Sequence, residues 1–160
     1  MRTIVLAGGC FWGMQDLFRK QKGVIKTRVG YTGGALPDPT YKEVKTGTTN
    51  HAEAIEITYE ENETSLNDLF HFFFKMHNPT TINQQGNDIG SQYRSAIFYS
   101  CEEELVEAKK VIKEVDESGF WEKPIVTKLE PLKKFTEAED FHQDYLEKNP
   151  NGYTCHFIRS

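Results

Sequence analysis

The sequence predicts an α+β fold, a two-layer α/β sandwich with a mixed sheet, a ferredoxin-like core and long functional loops. Candidate strands and helices are interspersed along the chain, with no repeats and no low-complexity linkers between them. The 160 residues have the length of one domain, and hydrophobic residues at 38% are enough to build a core. We therefore predict a single domain over residues 1–160 with a mobile C-terminal tail from about residue 151.

The N-terminal half contains three candidate strands and two candidate helices. Residues 2–7 are a short apolar run that ends at two glycines, as a buried strand does. Residues 10–20 carry apolar side chains at helical spacing, and residues 24–31 form a second strand between glycines. After a loop rich in proline and glycine, residues 51–59 alternate as a strand does. Residues 65–77 have one apolar stripe behind a capping box, which predicts a helix.

The C-terminal half begins with residues 78–93, a long polar stretch without periodicity, of the kind that often carries function. Residues 94–100 have the composition of a strand, and residues 102–118 predict a helix that a glycine ends. Residues 124–130 predict another short strand. A second capping box, of the form Thr-x-x-Glu, predicts a helix over residues 136–149, which stops before a proline.

The charge balance disfavours two classes of partner. With 19 Lys and Arg against 24 Asp and Glu, the net charge is -5, whereas nucleic acids and anionic membranes favour a basic face. No N-terminal apolar run is long enough for a signal peptide or a membrane helix, so we predict a cytoplasmic protein. The histidines and cysteines lack the spacing of zinc sites, so we predict neither a metal nor another cofactor.

Cys10 has the most unusual setting of the three cysteines, between two glycines and Phe11-Trp12-Gly13. The predicted elements place it after a strand and at a helix N-terminus, where unpaired N–H groups and the helix dipole favour a thiolate. We therefore predict that the pKa of its thiol is lowered toward neutrality. The segment lacks the lysine of a phosphate-binding loop and a glycine of the dinucleotide fingerprint at the required positions. A plain buried cysteine is the alternative.

Trp12 lies off the apolar stripe of the predicted helix, because the residues at helical spacing from it are polar. The stripe instead follows residues such as Phe11 and Met14. We therefore predict that Trp12 lies beside Cys10, where an aromatic ring lines a pocket. The alternative is that both aromatic residues only belong to the core.

Glu53 lies on a strand whose alternation puts it on one face with Ile55, Ile57 and Tyr59. A carboxyl group among apolar side chains has a raised pKa, because burial disfavours its charged form. Such a group stays protonated near neutral pH and is able to act as a general acid. The alternative is a strand end at which Glu53 reaches solvent or an ion pair.

Two further regions offer reactive or polar groups. The loop over residues 85–93 contains amides, the Asp88 carboxylate and the Tyr93 phenol. Cys101 precedes three glutamates, whose charge opposes thiolate formation, so we predict that it only packs. Cys155 lies in the predicted mobile tail, which is able to carry a second thiol toward the first.

Four sequence motifs follow one another along the chain. They are Gly-Cys-Phe-Trp-Gly at 9–13, His-Ala-Glu at 51–53, Gln-Gly-Asn-Asp at 85–88 with Gln-Tyr-Arg-Ser at 92–95, and His-Gln-Asp-Tyr at 142–145. In this order they resemble the peptide methionine sulfoxide reductase A family, and they cover nearly the whole chain. The resemblance implies a catalytic domain with the two-layer sandwich fold that reduces methionine S-sulfoxide in oxidised proteins and peptides. It also implies thioredoxin as the reductant, and we expect a monomer.

The resemblance further implies a role for each candidate residue. Cys10 is similar to the nucleophile, which becomes a sulfenic acid, and Glu53 to the acid that protonates the sulfoxide oxygen. The other positions are similar to the methyl pocket at Phe11 and Trp12, the oxygen-binding phenols at Tyr41 and Tyr93, the supporting carboxylate at Asp88 and the resolving thiol at Cys155. Many family members have two cysteines near the C-terminus, whereas this chain has one there.

Two other classes of protein fit parts of this pattern. A cysteine hydrolase or amidotransferase also uses an activated thiol, but a nucleophile elbow would require glycine where Trp12 stands. An aromatic cage formed by Trp12, Tyr41 and Tyr93 would bind a methylated cation. The cage gives no role to Cys10 or Glu53, so the sulfoxide reductase is the main hypothesis.

Overall fold

The structure is a computed structural model that describes residues 1–159. Its strands are β1 (Arg2–Gly8), β2 (Val24–Thr32), β3 (Ala52–Tyr59), β4 (Gln84–Gln85), β5 (Asp88–Ile89), β6 (Ser95–Tyr99), β7 (Lys128–Pro131) and β8 (Thr136–Glu137). Its α-helices are α1 (Phe11–Arg19), α2 (Tyr41–Lys45), α3 (Leu66–Met76), α4 (Glu102–Ser118) and α5 (Tyr145–Lys148). Short 3-10 turns cover Ser91–Tyr93 and Asp140–His142.

Six strands form one mixed sheet in the order β7-β6-β1-β3-β2-β8. The β6–β7 pair is parallel, and the other neighbouring pairs are antiparallel. The four central strands have the order β6-β1-β3-β2, and α1 and α3 connect them as in a ferredoxin-like βαββαβ unit. The predicted α+β fold with a mixed sheet and a ferredoxin-like core is therefore confirmed.

The two faces of the sheet are covered differently. On one face α1, α3 and α4 bury large side chains, among which Phe11 and Phe73 are fully buried. The other face carries small side chains such as Ala54, and a loop with Leu132 and Phe135 packs against it. The helices therefore form the second layer of the sandwich, and a loop closes the opposite face of the sheet.

Local sequence signals predicted the ends of the two longest helices correctly. α4 runs over residues 102–118 and ends at Gly119, whose φ of 74° favours glycine. α3 begins after Ser65, whose hydroxyl accepts a hydrogen bond from the N–H of Asp68. Both boundaries depend on contacts within one turn of the chain, which a sequence pattern is able to reveal.

The loops contain short elements that the sequence pattern did not reveal. The loop with Tyr41 contains α2, which begins with a capping box between Thr40 and Glu43. The polar stretch over residues 78–93 contains the β4–β5 hairpin and a 3-10 turn. β7 is shorter than the strand predicted over residues 124–130.

The helix predicted over residues 136–149 is wrong. The chain there forms β8, a 3-10 turn and the four residues of α5. Thr136 pairs with Tyr31 in the sheet, and Glu139 does not cap it. The Glu139 carboxylate instead accepts hydrogen bonds from the Tyr31 hydroxyl and the Tyr41 N–H. Partners distant in sequence therefore outweighed a local capping signal.

The segment that follows α5 contains no helix or strand up to residue 159. His156 is nevertheless buried, and its Nε2 donates to the Gly8 carbonyl at 2.7 Å. The side chains of His156 and Thr154 also fill the space beside Gly13, where an added Cβ would collide with them. This C-terminal segment thus lies against the first turn of α1, and its mobility stays a prediction.

None of the helices over residues 1–159 is both long and apolar enough to cross a membrane. In the same part of the chain, no three or more His, Cys, Asp or Glu side chains are arranged to hold a metal ion. The cytoplasmic location and the lack of a metal cofactor stay predictions.

Candidate active site

Cys10 lies at the N-cap of α1, directly after β1 and Gly9. Gly9 has a φ of 98°, which favours glycine, and an added Cβ would collide with the side chain of Gln85. This turn leaves 9% of Cys10 exposed. The structure confirms the predicted location of Cys10 at the junction of a strand and a helix.

The pKa of the Cys10 thiol is raised, which corrects the expectation of a lowered value. Burial is the largest cause, because it disfavours the charged thiolate. The negative charge of Glu53 acts in the same direction, and the charges of Asp88 and Cys155 add smaller effects. A hydrogen bond from the Trp12 N–H lowers the pKa but does not compensate. The effect of the helix N-terminus is therefore present and is outweighed by desolvation.

Glu53 is a buried carboxyl group near the start of β3. It is 1% exposed, and its Oε1 accepts a hydrogen bond of 3.1 Å from the Phe11 N–H. Burial raises the pKa of Glu53 to about 8, and the charge of Asp88 adds to the shift while the Phe11 hydrogen bond opposes it. Glu53 is therefore mostly protonated at neutral pH, as its apolar strand face predicted.

Tyr41 and Tyr93 bring two phenols to the same place. Burial, followed by the charges of Glu53 and Cys10, raises the pKa of Tyr41 to about 12. Burial also raises the pKa of Tyr93, and the charges of Glu53 and Tyr41 act in the same direction. Both phenols therefore keep their protons at neutral pH and serve as hydrogen-bond donors. The charges of Glu53 and Cys10 thus act on the pKa values of both phenols, which indicates that the four groups lie near one another.

Asp88 lies at the start of β5, at the edge of this cluster. Its carboxylate accepts a hydrogen bond of 3.2 Å from the Tyr153 hydroxyl, and burial raises its pKa. Its charge in turn raises the pKa values of Cys10 and Glu53. The structure thus brings the predicted Asp88 to the site together with Tyr153, for which no role was predicted.

Trp12 is held on two sides by residues close to α5. Its indole Nε1–H donates to His142 Nδ1 at 2.9 Å, and its ring stacks on that of Tyr145 with centroids 3.9 Å apart. Phe11 is fully buried, so it meets the site through its backbone N–H. Trp12 is therefore the partly exposed aromatic residue next to Cys10, with Phe11 behind it.

Cys155 lies near Cys10 without being bonded to it, since all three cysteines are free thiols. Cys155 is half-buried beside Gly86, where an added Cβ would approach the Cys155 Cβ to 3.2 Å. Its charge contributes to the raised pKa of Cys10. Cys101 is exposed at the N-cap of α4, with its sulfur 3.7 Å from the Arg2 guanidinium. Cys155, and not Cys101, is thus among the groups that raise the pKa of Cys10.

Three further residues of the site received no individual role from the sequence. Tyr31 faces Glu53 in the β2–β3 register, a pairing that a single sequence does not reveal. Glu139 accepts hydrogen bonds from Tyr31 and Tyr41 across a long sequence separation. His142 belongs to one of the four motifs, and its contact with the Trp12 indole gives that motif a physical meaning.

A buried thiol, a protonated carboxyl group and two phenols around one small site define an oxidoreductase that works through thiol chemistry. The model of the peptide methionine sulfoxide reductase family matches residues 2–160. Peptide methionine sulfoxide reductase MsrA of Mycolicibacterium gilvum (strain PYR-GCK) is 57% identical over 158 residues, which are 99% of this chain and 91% of that protein. The chain therefore belongs to the peptide methionine sulfoxide reductase family.

Solved structures of relatives have the same fold. Reduced Mxr1 from Saccharomyces cerevisiae superimposes with a TM-score of 0.93 at 40% identity, covering 99% of this chain and 92% of that one. Mxr1 in complex with Trx2 has a TM-score of 0.67 at 27% identity, covering 99% and 90% of the two chains. The likeness extends over nearly the whole of both chains.

Proposed function

We propose that the protein reduces methionine S-sulfoxide, free or in proteins, to methionine, with Cys10 as the nucleophile. The observation that carries this proposal is the buried Glu53 carboxyl group, which accepts a hydrogen bond from the N–H of Phe11, the residue directly after the buried Cys10 thiol. A sulfoxide oxygen is a poor leaving group and needs a proton as the thiol attacks the sulfur. Glu53, with a pKa of about 8, holds such a proton at neutral pH.

The reaction balances in atoms and electrons. The Cys10 sulfur attacks the sulfoxide sulfur, and Glu53 protonates the oxygen as its bond to that sulfur breaks. The proton of the Cys10 thiol replaces the one that Glu53 has given. The protonated oxygen then moves to the Cys10 sulfur, which becomes a sulfenic acid, while the transient bond between the two sulfurs breaks and leaves its electron pair on the substrate sulfur. The substrate thus gains the two electrons that Cys10 loses.

The remaining side chains bind the substrate. Tyr41 and Tyr93 donate hydrogen bonds to the sulfoxide oxygen, and Asp88 supports the site from its edge. Trp12, with Phe11 behind it, forms the pocket for the S-methyl group. Because the methyl group and the oxygen enter different sub-pockets, the S epimer fits and the R epimer does not.

Cys155 resolves the sulfenic acid in the second step. Its thiol attacks the Cys10 sulfur, a disulfide forms, and the oxygen leaves as water. Thioredoxin then reduces the disulfide, for which its low reduction potential is suited. The proximity of Cys155 to Cys10 supports the first of these steps, and the complex of the relative Mxr1 with Trx2 supports the second.

The site gives less support to the two other classes of protein. A cysteine hydrolase or amidotransferase uses a histidine base at its nucleophile. The histidines near the thiol are bonded to other groups, His156 to the Gly8 carbonyl and His142 to the Trp12 indole. An aromatic cage would leave the buried Glu53 without a role.

We further propose that the chain is one catalytic domain that acts as a cytoplasmic monomer. Light scattering would test the monomer, and cell fractionation would test the location.

The activity is tested with dithiothreitol and each epimer of a methionine sulfoxide peptide, by measuring the methionine formed. We expect conversion of the S epimer alone. Cys10→Ser should convert neither epimer, because a serine hydroxyl is far less nucleophilic, while its circular dichroism matches the wild type. Conversion by Cys10→Ser, or equal conversion of both epimers, would contradict the proposal.

A further inference from the structure

We propose that Glu139 is a positioning residue that holds Tyr41 at the active site, an inference that rests on the proposed reduction of the sulfoxide. Glu139 Oε2 accepts a hydrogen bond of 3.0 Å from the Tyr41 N–H. Its Oε1 accepts one of 2.8 Å from the Tyr31 hydroxyl. A single carboxylate thus joins the first residue of α2 to β2 in the sheet.

Tyr41 needs such an anchor because α2 has five residues and is too short to be stable alone. The capping box of Thr40 and Glu43 is local to the helix, and Val44 is its buried residue. The Tyr41 N–H is one of the donors that a helix N-terminus leaves unpaired, and Glu139 supplies its acceptor. This hydrogen bond therefore fixes the backbone of Tyr41 to a segment 98 residues away.

Glu139 is itself held against β2. Ala138 donates its N–H to the Val29 carbonyl at 2.9 Å, and the Gln143 amide bonds both the N–H and the carbonyl of Val29 at 2.9 Å. Burial acts to raise the pKa of Glu139, but hydrogen bonds, led by the one from Tyr41, lower it overall. Glu139 is therefore an anion at neutral pH, and an anionic carboxylate only accepts, which suits two donors.

The same contact removes Tyr31 from the chemistry. Tyr31 is the residue opposite Glu53 in the β2–β3 register, so the phenol and the acid lie on the same face of the sheet. Its one hydroxyl proton is donated to Glu139 and is not available to a sulfoxide oxygen. Tyr41 and Tyr93 are then the phenols left to bind that oxygen. Glu139 thus both places one donor and withdraws another.

The test introduces Glu139→Ala into three proteins: the wild type, the Tyr41→Phe variant and the Tyr93→Phe variant. In each, the rate of single-turnover reduction of the S epimer, without added reductant, is measured with and without the Glu139→Ala substitution. In the wild type we expect a fall of about tenfold, below the roughly 10²-fold that a misplacement of 1 Å is able to cost. In Tyr41→Phe the change should cost less than about twofold, because the hydroxyl that Glu139 positions is already absent. In Tyr93→Phe the loss should be at least as large as in the wild type.

Further variants separate positioning from damage to the fold. Glu139→Gln keeps an acceptor for the Tyr41 N–H and should restore most of the rate. If thermal unfolding shows that Glu139→Ala does not fold, Glu139→Asp replaces it, because its shorter side chain cannot reach both donors. No loss in the wild type, or an equal loss in all three backgrounds, would overturn the positioning role. A wild type that reduces no sulfoxide would instead refute the proposed function.

Discussion

Cys10 and Glu53, at the centre of the site, both hold their protons because burial disfavours their charged forms. Their titrations are coupled, since the negative charge of Glu53 is one cause of the raised Cys10 pKa. Below about pH 8 Glu53 is neutral and this cause is absent. The Cys10 proton is therefore easier to remove in the same pH range in which Glu53 has a proton to give.

We predict that Glu53→Gln lowers the single-turnover rate by about 10²–10⁴-fold, the range for the loss of a general acid. The wild-type rate should also fall as the pH rises through about 8, because ionised Glu53 has no proton to donate. Quenched reactions with the S epimer at a series of pH values measure both effects. A Glu53→Gln variant with an unchanged rate at neutral pH would assign the proton to another group.

The two phenols should partly replace each other. Tyr41→Phe and Tyr93→Phe each leave one donor for the sulfoxide oxygen, so we expect losses of about tenfold or less for the single variants. The double variant leaves no donor and should lose much more than the product of the two single losses. Single-turnover rates of the wild type and the three variants give this comparison. A loss in the double variant equal to the product of the two single losses would show that the phenols act independently.

The residue-scale predictions from the sequence differed in their success for a physical reason. The raised pKa of Glu53 followed from the alternation of its own strand, which a sequence shows directly. The direction of the shift in the Cys10 pKa did not follow from the sequence, because it depends on distant residues that bury the thiol. The roles of Tyr31 and Glu139 likewise arise from contacts that no local pattern encodes.

Among the elements, α1 and the C-terminal segment meet where the two thiols lie. His156 donates to the Gly8 carbonyl, and Thr154 and His156 fill the space beside Gly13 in α1. Cys155 stands between these two anchoring residues, so its reach is set by how firmly they hold the segment. In the proposed mechanism the second step therefore belongs to this segment, whereas the first belongs to α1 and β3.

We predict that Cys155→Ser still reduces one equivalent of sulfoxide in a burst, because Cys10 is intact. Turnover with thioredoxin should then collapse, since thioredoxin attacks disulfides and none forms. Dithiothreitol should partly restore turnover by reacting with the sulfenic acid directly. Burst kinetics and mass spectrometry of the oxidised protein measure these outcomes.

Cys101→Ser is the matched control for this prediction, because Cys101 is an exposed thiol at the start of α4. It should cycle as the wild type does with either reductant. A Cys10–Cys101 linkage in the oxidised protein, or normal cycling of Cys155→Ser with thioredoxin, would move the resolving role away from Cys155.

The elements that the sequence predicted well are those whose boundaries are local. α3 begins at its Ser65 cap, α4 ends at its Gly119 cap, and the central strands follow apolar runs. The helix predicted over residues 136–149 was wrong because the glutamate of its Thr-x-x-Glu pattern does not cap a helix. Glu139 instead accepts hydrogen bonds from Tyr31 and Tyr41. A capping signal is weak evidence when its glutamate has a long-range partner.

For the whole molecule, two buried histidines make stability depend on pH. Burial lowers the pKa of His77 to about 3 and that of His156 to about 4. In the unfolded chain each histidine has a pKa of about 6.5. Between about pH 6.5 and pH 4 the unfolded state therefore holds more protons, so stability falls as the pH falls through this window.

We predict that, as the pH falls from about 6.5 to about 5, each of the two histidines reduces the free energy of unfolding by on the order of 2 kcal/mol. Urea unfolding at a series of pH values, followed by tryptophan fluorescence, measures the total. His77→Gln should be less stable at neutral pH but should lose less stability on acidification, because glutamine does not titrate. An unchanged acid dependence in this variant would show that His77 does not contribute.

The three thiols are unevenly spaced along the chain. Cys101 and Cys155 are the nearest pair in sequence, and Cys10 and Cys155 are the most distant. In a random coil the chance that two residues meet falls with about the 3/2 power of the loop between them, which favours the nearest pair roughly fourfold over the most distant one. The fold instead gathers Cys155 with Cys10 and leaves Cys101 at the start of α4. The folded chain thus brings together the pair that meets least often in the coil. A chain oxidised before it folds is therefore expected to form the Cys101–Cys155 disulfide more often than the Cys10–Cys155 disulfide.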